Sequence, residues 1–197
     1  MAERGGLYVF SAPSGAGKNA LLAEVRQRMS SIASTVSATT RAPRPGERDG
    51  VDYYFLDADT FRRRVAAGDF AEWAEVHGNL YGTLRSELDR CLATGSDVIL
   101  ELDVQGMRSL KRLYPTVGTI FLAPPSMAEL ERRLRNRGTN DEADIALRMR
   151  NAETEMAARA EFQYIIVNDT IDRAAAEMVQ LLAARRAART AADADNR

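Results

Sequence analysis

Residues 7–29, LYVFSAPSGAGKNALLAEVRQRM, contain the stretch that decides the fold. The apolar run Leu7–Ser11 is typical of a short buried strand, and the pattern from about Lys18 to Met29 predicts an amphipathic helix. Between them lies a glycine-rich turn, in which successive backbone N–H groups and a helix N-terminus can surround phosphate oxygens. These residues therefore predict a strand, loop and helix unit that binds phosphate.

The turn departs from the standard phosphate-binding loop, or P-loop, at two positions. That motif begins with Gly and has Ser or Thr after its lysine, whereas this chain has Ala12 and Asn19. Lys18 is expected to reach the β- and γ-phosphates of a nucleotide, and Ala12 is tolerable if its φ is negative. Asn19 replaces a hydroxyl that normally binds Mg²⁺, and we expect its amide oxygen, or a water that it holds, to keep the metal in place. An imperfect motif also leaves open a tight connection without a ligand.

The rest of the chain alternates apolar runs with helical stretches. Runs at 98–102, 119–122 and 164–167 each precede a helical pattern, which predicts a parallel sheet. Residues from about 35 to 95 differ, because short strand candidates are separated there by Pro, Gly and Asp, and they predict an inserted, strand-rich lobe. From about Arg185 onward the chain has no large apolar residue, and we expect its end to fray.

Composition excludes several classes of function. The 27 basic and 28 acidic residues give a net charge of −1, so a general nucleic-acid groove is not indicated. No apolar run approaches the roughly 20 residues that span a bilayer, and the N-terminus lacks the pattern of a secretory signal. The single cysteine, Cys91, excludes an intramolecular disulfide, and the single histidine, His77, is read as a loop residue. We expect a cytoplasmic protein that forms one domain and has neither nucleic-acid nor membrane partners.

Charged side chains concentrate where small anions could bind. Arginines cluster at 41–48 and 132–150, which suggests pockets for highly charged small anions, although the second cluster also contains acids and could be a salt-bridged helix surface. Glu101 and Asp103 follow the apolar run at 98–102, at the carboxyl end of a strand, where α/β sheets present ligand sites. The same acids could instead cap the helix predicted at 105–113.

Six segments closely resemble the guanylate kinase family, and they occur in the family's order: SAPSGAGK (11–18), VSATTRAPRPGERDG (36–50), FAEWAEVHGNLYGT (70–83), ELDVQG (101–106), APPS (123–126) and VND (167–169). The most specific block is TTRAPRPGE, and the resemblance covers residues 6–182. It implies an α/β P-loop kinase with a central parallel sheet flanked by helices, an inserted strand-rich GMP-binding lobe and a helical lid. The predicted boundaries within the single domain 1–197 are a core at about 5–34, 96–125 and 160–190, the lobe at 35–95, the lid at 126–159 and a partly disordered tail at 185–197.

The resemblance also implies transfer of the γ-phosphate of ATP to GMP or dGMP, with Mg²⁺ as cofactor and with ATP and GMP as small-molecule substrates. The residues that it assigns to ATP are Ser11, Ala12, Pro13, Ser14, Gly15, Ala16, Gly17, Lys18, Asn19, Asn168 and Asp169. Those that it assigns to GMP are Ser37, Arg41, Arg44, Tyr53, Glu72, Tyr81, Thr83 and Asp103. Catalysis is assigned to Lys18, Arg41, Arg133, Arg137 and Arg148. For the metal, the candidates are Asn19, by the hypothesis above, and Glu101, which stands where the family usually has Asp.

The implied acceptor residues suit the chemistry of GMP. The carboxylate of Glu72 can accept from the N1–H and the N2 amino group of guanine, while Ser37 and Thr83 can donate to O6. Adenine, with an acceptor at N1 and a donor at C6, would leave the carboxylate unpaired. Paired arginines hold a phosphate dianion by bidentate hydrogen bonds, and that phosphate needs no general base because it is mostly deprotonated at neutral pH.

Two other functions stay open at the level of sequence. The altered residue Asn19 is compatible with a non-catalytic guanylate-kinase-like module that binds protein partners through the nucleotide site. Some related P-loop kinases with a variant loop act on a phosphorylated sugar. Against the first stands the presence of Lys18 and the arginines, and against the second stands the guanine-reading set.

Overall fold

The computed structural model describes residues 4–76, 78–136 and 141–195. In chain order its elements are β1 (Leu7–Ser11), α1 (Lys18–Arg28), β2 (Ile32–Ala33), β3 (Ala38–Thr39), β4 (Tyr54–Phe55), α2 (Ala58–Ala66), β5 (Phe70–Val76), β6 (Asn79–Leu84), α3 (Arg85–Ala93), β7 (Asp97–Glu101), α4 (Val104–Leu113), β8 (Gly118–Ala123), α5 (Met127–Asn136), α6 (Glu142–Ala157), a 3-10 helix (Ala158–Glu161), β9 (Tyr164–Val167) and α7 (Ile171–Asp195).

The main sheet has five parallel strands in the order β2-β7-β1-β8-β9. Its central strands are buried on both faces because helices cover each side, as a parallel sheet requires. Leu21, Leu22 and Val25 of α1 pack on one face together with α7, and Leu88 and Leu110 of α3 and α4 pack on the other. The predicted parallel sheet flanked by helices is therefore confirmed. The carboxyl ends of β1 and β7 lie side by side, which brings the loops that follow them together.

The inserted lobe is a second sheet, in the order β4-β3-β6-β5. Its long pair, β5 and β6, is antiparallel, and α2 covers it through Phe61, whose ring stacks on Phe70 with centroids 4.4 Å apart. The strand expected at 51–55 is limited to Tyr54–Phe55. Helix α3, which the sequence boundaries assign to the lobe, packs on the main sheet instead because its apolar face belongs to the main core.

Helices α5 and α6 lie over the P-loop. Leu130 and Leu134 of α5 are wholly buried with Ala152 of α6. A Cβ added at Gly15 would lie 2.7 Å from Leu134 Cδ2, so the loop and α5 are in close contact. The helical segment predicted as a lid therefore borders the phosphate-binding loop.

Helix α7 continues to Asp195, further than composition predicts. Part of the reason is ionic, because Arg189 donates to the wholly buried carboxylate of Asp97 at 2.6 Å and Arg186 lies 3.5 Å from the same group. The described part of the tail is thus helical, and fraying at its end stays a prediction. In the described ranges, no helix is both long enough and apolar enough to cross a bilayer.

Candidate nucleotide-binding site

The P-loop is shaped by two glycines in left-handed backbone. Gly15 and Gly17 have φ of 92° and 94°, a region that residues with a Cβ rarely adopt. The Ala16 N–H closes the turn on the Pro13 carbonyl at 3.0 Å, and α1 begins at Lys18. The loop therefore presents its backbone beside a helix N-terminus, the arrangement that stabilises bound phosphate.

The loop borders a cavity of about 400 Å³, here called the P-loop cavity. Its lining residues are Ala12, Pro13, Ser14, Gly15, Gly17, Lys18, Asn19, Ala20, Leu102, Asp103 and Glu155. Seven of the predicted ATP residues are thus brought together. Ser11 and Ala16 are buried behind the surface of the loop. Lys18 Nζ lies 3.8 Å from Glu101 Oε2, which keeps a counter-ion near this lysine.

Asn168 supports the P-loop from behind. It is almost wholly buried, and its Nδ2 donates to the Ala16 carbonyl at 2.6 Å. A Cβ at Gly17 would lie 2.5 Å from the same nitrogen, so the close approach requires glycine. Asp169 pairs instead with Arg173 on α7. The amide of Asn168 therefore holds the shape of the loop, which the sequence did not indicate.

Two of the three predicted lid arginines contact this region. Arg148 donates to Ser14 Oγ at 2.8 Å, and Arg133 donates to the Asn168 carbonyl at 3.0 Å while it pairs with Glu129. Arg132 and Arg133 together lower the pKa of Glu129 to about 2. Arg137 lies outside the described residues.

The alternative of a salt-bridged helix surface is correct for other arginines of the cluster. Arg132 pairs with Glu129 on the exposed side of α5, and Arg135 pairs with Glu131 and Glu142. The arginine-rich segment therefore divides into inward-facing and outward-facing side chains.

A second cavity, of about 870 Å³, lies between the lobe and the main sheet and is here called the lobe cavity. It contains six of the eight predicted GMP residues: Ser37, Tyr53, Glu72, Tyr81, Thr83 and Asp103. Leu102 and Asp103 line both cavities, so the two meet at the carboxyl end of β7. Ligands in the two cavities would therefore border each other at Leu102 and Asp103.

Glu72 is a partly buried carboxylate that lines the lobe cavity. Burial raises its pKa, and this effect is opposed by hydrogen bonds from Thr83, whose Oγ1 donates to Glu72 Oε1 at 2.7 Å. Because the Thr83 proton is used by Glu72 in this arrangement, donation to a guanine O6 would require the hydroxyl to rotate. Glu72 and Thr83 together form a polar part of the wall of the lobe cavity.

The first arginine of the TTRAPRPGE block, Arg41, is held by Glu47, a residue to which the sequence analysis assigned no role. Arg41 donates to both carboxylate oxygens of Glu47, at 2.8 and 2.9 Å, and its guanidinium lies 5.5 Å from the centroid of Tyr53. Glu47 also accepts from the Arg44 N–H at 2.7 Å. The hydrogen bond from Arg41, followed by that from Arg44, lowers the pKa of Glu47. Its presence in the most specific block was the signal that could have found it.

The Arg44 guanidinium makes no hydrogen bond or ion pair with any residue that the structure describes. Only its backbone is engaged, and Pro43 and Pro45 limit that backbone on either side. Tyr53 and Tyr81 meet edge to face, with centroids 6.2 Å apart, and the arginine beside them is Arg41. A guanidinium without a protein partner, such as that of Arg44, is well suited to hold a phosphate.

The two acids after β7 differ in their contacts. Asp103 Oδ1 accepts from the Gly106 N–H at 2.7 Å and so caps α4, which confirms the capping alternative for this oxygen. It also lines both cavities, so capping and ligand contact are compatible. Glu101 lies next to Lys18 and lines the lobe cavity.

Glu155 of α6 is a site residue that sequence reasoning missed. It lines the P-loop cavity, and its Oε2 is buried without a hydrogen-bond partner among the described residues. Burial raises its pKa, the charge of Asp103 adds to this, and Lys18 opposes it. An acid on a polar helix gives no sequence signal of this kind, since most such acids face solvent.

The donor set fits a divalent cation carried by a nucleotide. In the described ranges, no three acidic, cysteine or histidine side chains form a metal cluster of their own. The oxygens of Asn19, Asp103 and Glu155 nevertheless line the P-loop cavity. Mg²⁺ typically takes one or two protein oxygens and completes its shell with phosphate and water, so this set is sufficient.

Comparison with known proteins agrees with this geometry. The family model described as guanylate kinase matches residues 4–185. Guanylate kinases of Thermotoga maritima and Thermosynechococcus vestitus are 45% and 50% identical, over 93% and 87% of this chain and 89% and 90% of theirs. A crystal structure of guanylate kinase from Anaplasma phagocytophilum superposes with a TM-score of 0.67 at 34% identity, covering 94% of this chain and 88% of the other. The chain belongs to the guanylate kinase family.

Proposed function

We propose that the chain transfers the γ-phosphate of ATP to GMP or dGMP, giving ADP and GDP or dGDP, with Mg²⁺ as cofactor. The observation that carries this proposal is the meeting of two cavities at Leu102 and Asp103. One cavity is built on a P-loop and its lysine, and the other contains the partly buried carboxylate of Glu72. Membership of the guanylate kinase family supports the same reaction.

The lobe cavity is proposed to hold GMP. In the ionised form, Glu72 accepts from N1–H and the N2 amino group of guanine, and these two bonds offset the cost of its burial. AMP offers no matching pair of donors, so the carboxylate would keep only its hydrogen bonds from Thr83. Selectivity for guanine therefore comes from Glu72, whose charged form is disfavoured by burial in the empty cavity.

The phosphate of GMP is proposed to lie toward Arg41 and Arg44. Glu47 holds the first guanidinium in position, and the second is unpaired in the described structure. Tyr53 and Tyr81 add neutral hydroxyl donors. Because Arg41 must exchange some of its contact with Glu47 for the phosphate, Glu47 acts as a positioning residue.

Catalysis is proposed to be electrostatic. Lys18 and the loop backbone bind the phosphates of ATP, while Arg133 and Arg148, with Arg137 by family resemblance, neutralise charge on the transferring group. The GMP phosphate, with a second pKa of about 6, attacks without a general base. Mg²⁺ would supply further charge neutralisation, with Asn19, Glu101, Asp103 and Glu155 as the protein oxygens available to hold it.

A coupled assay of ADP release tests the proposal. We expect ATP consumption that depends on GMP and Mg²⁺, similar turnover with dGMP, and little or none with AMP or a sugar phosphate. GMP binding without ADP release would instead favour the non-catalytic module. Turnover with a sugar phosphate but not with GMP would favour the other kinase class.

The expected cytoplasmic location and the expected lack of a nucleic-acid partner stay predictions. Fractionation of the source cell and a binding titration with duplex DNA would test them separately from catalysis.

A further inference from the structure

A third cavity lies at the end of the main sheet opposite the nucleotide site, and we call it the amino-end cavity. Its volume is about 390 Å³, and it is bordered by Gly5, Gly6, Leu7 and Tyr8 at the start of β1 and by Thr116 and Val117 just before β8. Of the residues described as lining it, none also lines the P-loop cavity or the lobe cavity. The volume lies within the range of small-molecule sites, about 300 to 1,000 Å³.

Three arginines line this cavity, and they differ in their partners. Arg4 pairs with Asp89, and Arg189 donates to Asp97 and to the Tyr8 hydroxyl, at 2.6 and 2.8 Å. Arg185 forms no ion pair or hydrogen bond with any described residue, and its Nε is buried without a partner. An arginine with a buried, unpartnered donor normally has a ligand or a counter-ion.

The surrounding charges do not balance within the described structure. Asp97 is wholly buried and already has Arg189, the Gly6 N–H at 2.7 Å and Arg186 at 3.5 Å. The cationic side chains at and beside the cavity are Arg4, Arg185, Arg186 and Arg189, and their carboxylate partners are Asp89 and Asp97. Four positive charges and two negative charges leave a surplus of two. A dianion would neutralise that surplus.

We propose that the amino-end cavity binds the phosphate group of a small phosphorylated compound. The guanidinium of Arg185 offers a planar fork that matches phosphate geometry, and the phenol of Tyr114 also lines the cavity. Leu7, Leu92 and Val117 provide apolar lining that suits a compact, apolar body attached to the phosphate. A bare phosphate would leave much of the volume to water, whose share of liquid is about 30 Å³ per molecule.

Titration of the nucleotide-free full chain with phenyl phosphate, inorganic phosphate and benzoate tests this assignment, with heat of binding and the Arg Nε–H NMR signals as readouts. We expect phenyl phosphate to bind and to shift the Nε–H signal of Arg185. In Arg185→Ala the affinity should fall about ten- to hundredfold, the worth of charge-assisted hydrogen bonds. Arg185→Lys, which keeps the charge and loses the fork, should lie between the two.

Two variants separate this site from other sources of binding. Arg44→Ala removes a proposed GMP-phosphate ligand and should leave binding at the amino-end cavity intact, while Arg62→Ala removes an exposed arginine of α2 as a matched control. Phenyl phosphate binding that Arg44→Ala abolishes, or that Arg185→Ala leaves unchanged, would overturn the proposal. Benzoate binding as tightly as phenyl phosphate would overturn the requirement for a dianion. Equal affinity for inorganic phosphate would support the phosphate site and identify the free ion as its ligand.

Discussion

The P-loop cavity and the lobe cavity meet at Asp103, yet they are built from different parts of the chain. The P-loop cavity is formed mainly by backbone, with glycines at φ above 90° and a helix N-terminus. The lobe cavity is lined largely by side chains, among them Glu72, Thr83 and the phenols of Tyr53 and Tyr81. Backbone N–H groups are the same for every residue except proline, whereas a carboxylate has few substitutes. The comparison explains how the first cavity tolerates Ala12 and Asn19, whereas the second cavity depends on particular side chains such as Glu72.

The largest expected effect tests the link between the lid and the P-loop. Arg148→Ala should lower kcat about 10²- to 10³-fold with little change in the KM for GMP, because the guanidinium is proposed to act on the transferring group. Steady-state kinetics with varied GMP at saturating ATP measure both constants. Arg132→Ala, which removes an exposed arginine of α5, is the matched control and should change neither. An unchanged kcat in Arg148→Ala would remove this residue from the mechanism.

The next effect concerns Glu72, the side chain proposed to select guanine in the lobe cavity. Glu72→Gln should lower kcat/KM for GMP about ten- to hundredfold, since one charged acceptor of two guanine hydrogen bonds is lost. Competition between GMP and AMP measures the remaining selectivity. Glu131→Gln on the surface of α5 serves as the control. Equal use of GMP by Glu72→Gln and the wild type would contradict the assignment.

The same residue predicts a dependence of stability on pH. Burial raises the pKa of Glu72, so the folded protein binds this proton more tightly than the unfolded chain does. The contribution of Glu72 to the free energy of unfolding therefore falls as pH rises from the ordinary carboxyl pKa to the raised value. Glu72→Gln should remove this slope and be no less stable at neutral pH, as measured by urea unfolding. A marked loss of stability there would show that the carboxylate stabilises the empty cavity.

A smaller effect is expected for the positioning residue. Glu47→Gln should raise the KM for GMP about tenfold and change kcat less, because Arg41 loses the bidentate partner that orients it. Asp52→Asn is the control, since Asp52 accepts from the Arg48 N–H at 2.7 Å in the same loop without touching Arg41. If the two variants behave alike, the effect belongs to the loop in general.

The smallest effect should come from the unusual residue of the P-loop. Asn19→Ser should change turnover by less than about threefold, because the loop backbone and Lys18 are unaltered. Asn19→Ala is the matched comparison and should raise the Mg²⁺ concentration required for half-maximal rate. Rates measured across a Mg²⁺ titration distinguish the two variants. A large gain for Asn19→Ser would mean that Asn19 is a defect in metal binding.

The main sheet and the P-loop could be predicted from sequence because their signals are local. Leu7–Ser11 is a continuous apolar run, and the glycines that follow it mark a turn at a known type of junction. The lobe was predicted less completely. Its strands were found roughly, but α2 was not predicted. The boundary at 95 groups α3 with the lobe, although its buried face packs in the main core, because only the partner that a helix packs against decides its layer.

Most residues of the candidate site were identified from the family resemblance alone. Six of the eight residues assigned to GMP line one cavity. Glu47 and Glu155 were missed for different reasons. Glu47 lies within a recognised motif but contacts Arg41 rather than the cavity. Glu155 lies on α6, and it lines the P-loop cavity only because α6 packs over the P-loop.

By itself, the sequence determined the class of fold, the phosphate-binding turn and the family, because apolar periodicity, glycine placement and motif order are properties of the chain alone. Tertiary structure decided which charges are paired. The sequence does not distinguish Arg132 from Arg148, since both are arginines of the same cluster. In the structure Arg132 pairs with Glu129 at the surface, whereas Arg148 donates to Ser14. Likewise, among the residues that the structure describes, Arg185 has no ion-pair partner while Arg189 holds Asp97. Partners distant in sequence meet only through packing, so the roles of these arginines follow from the fold.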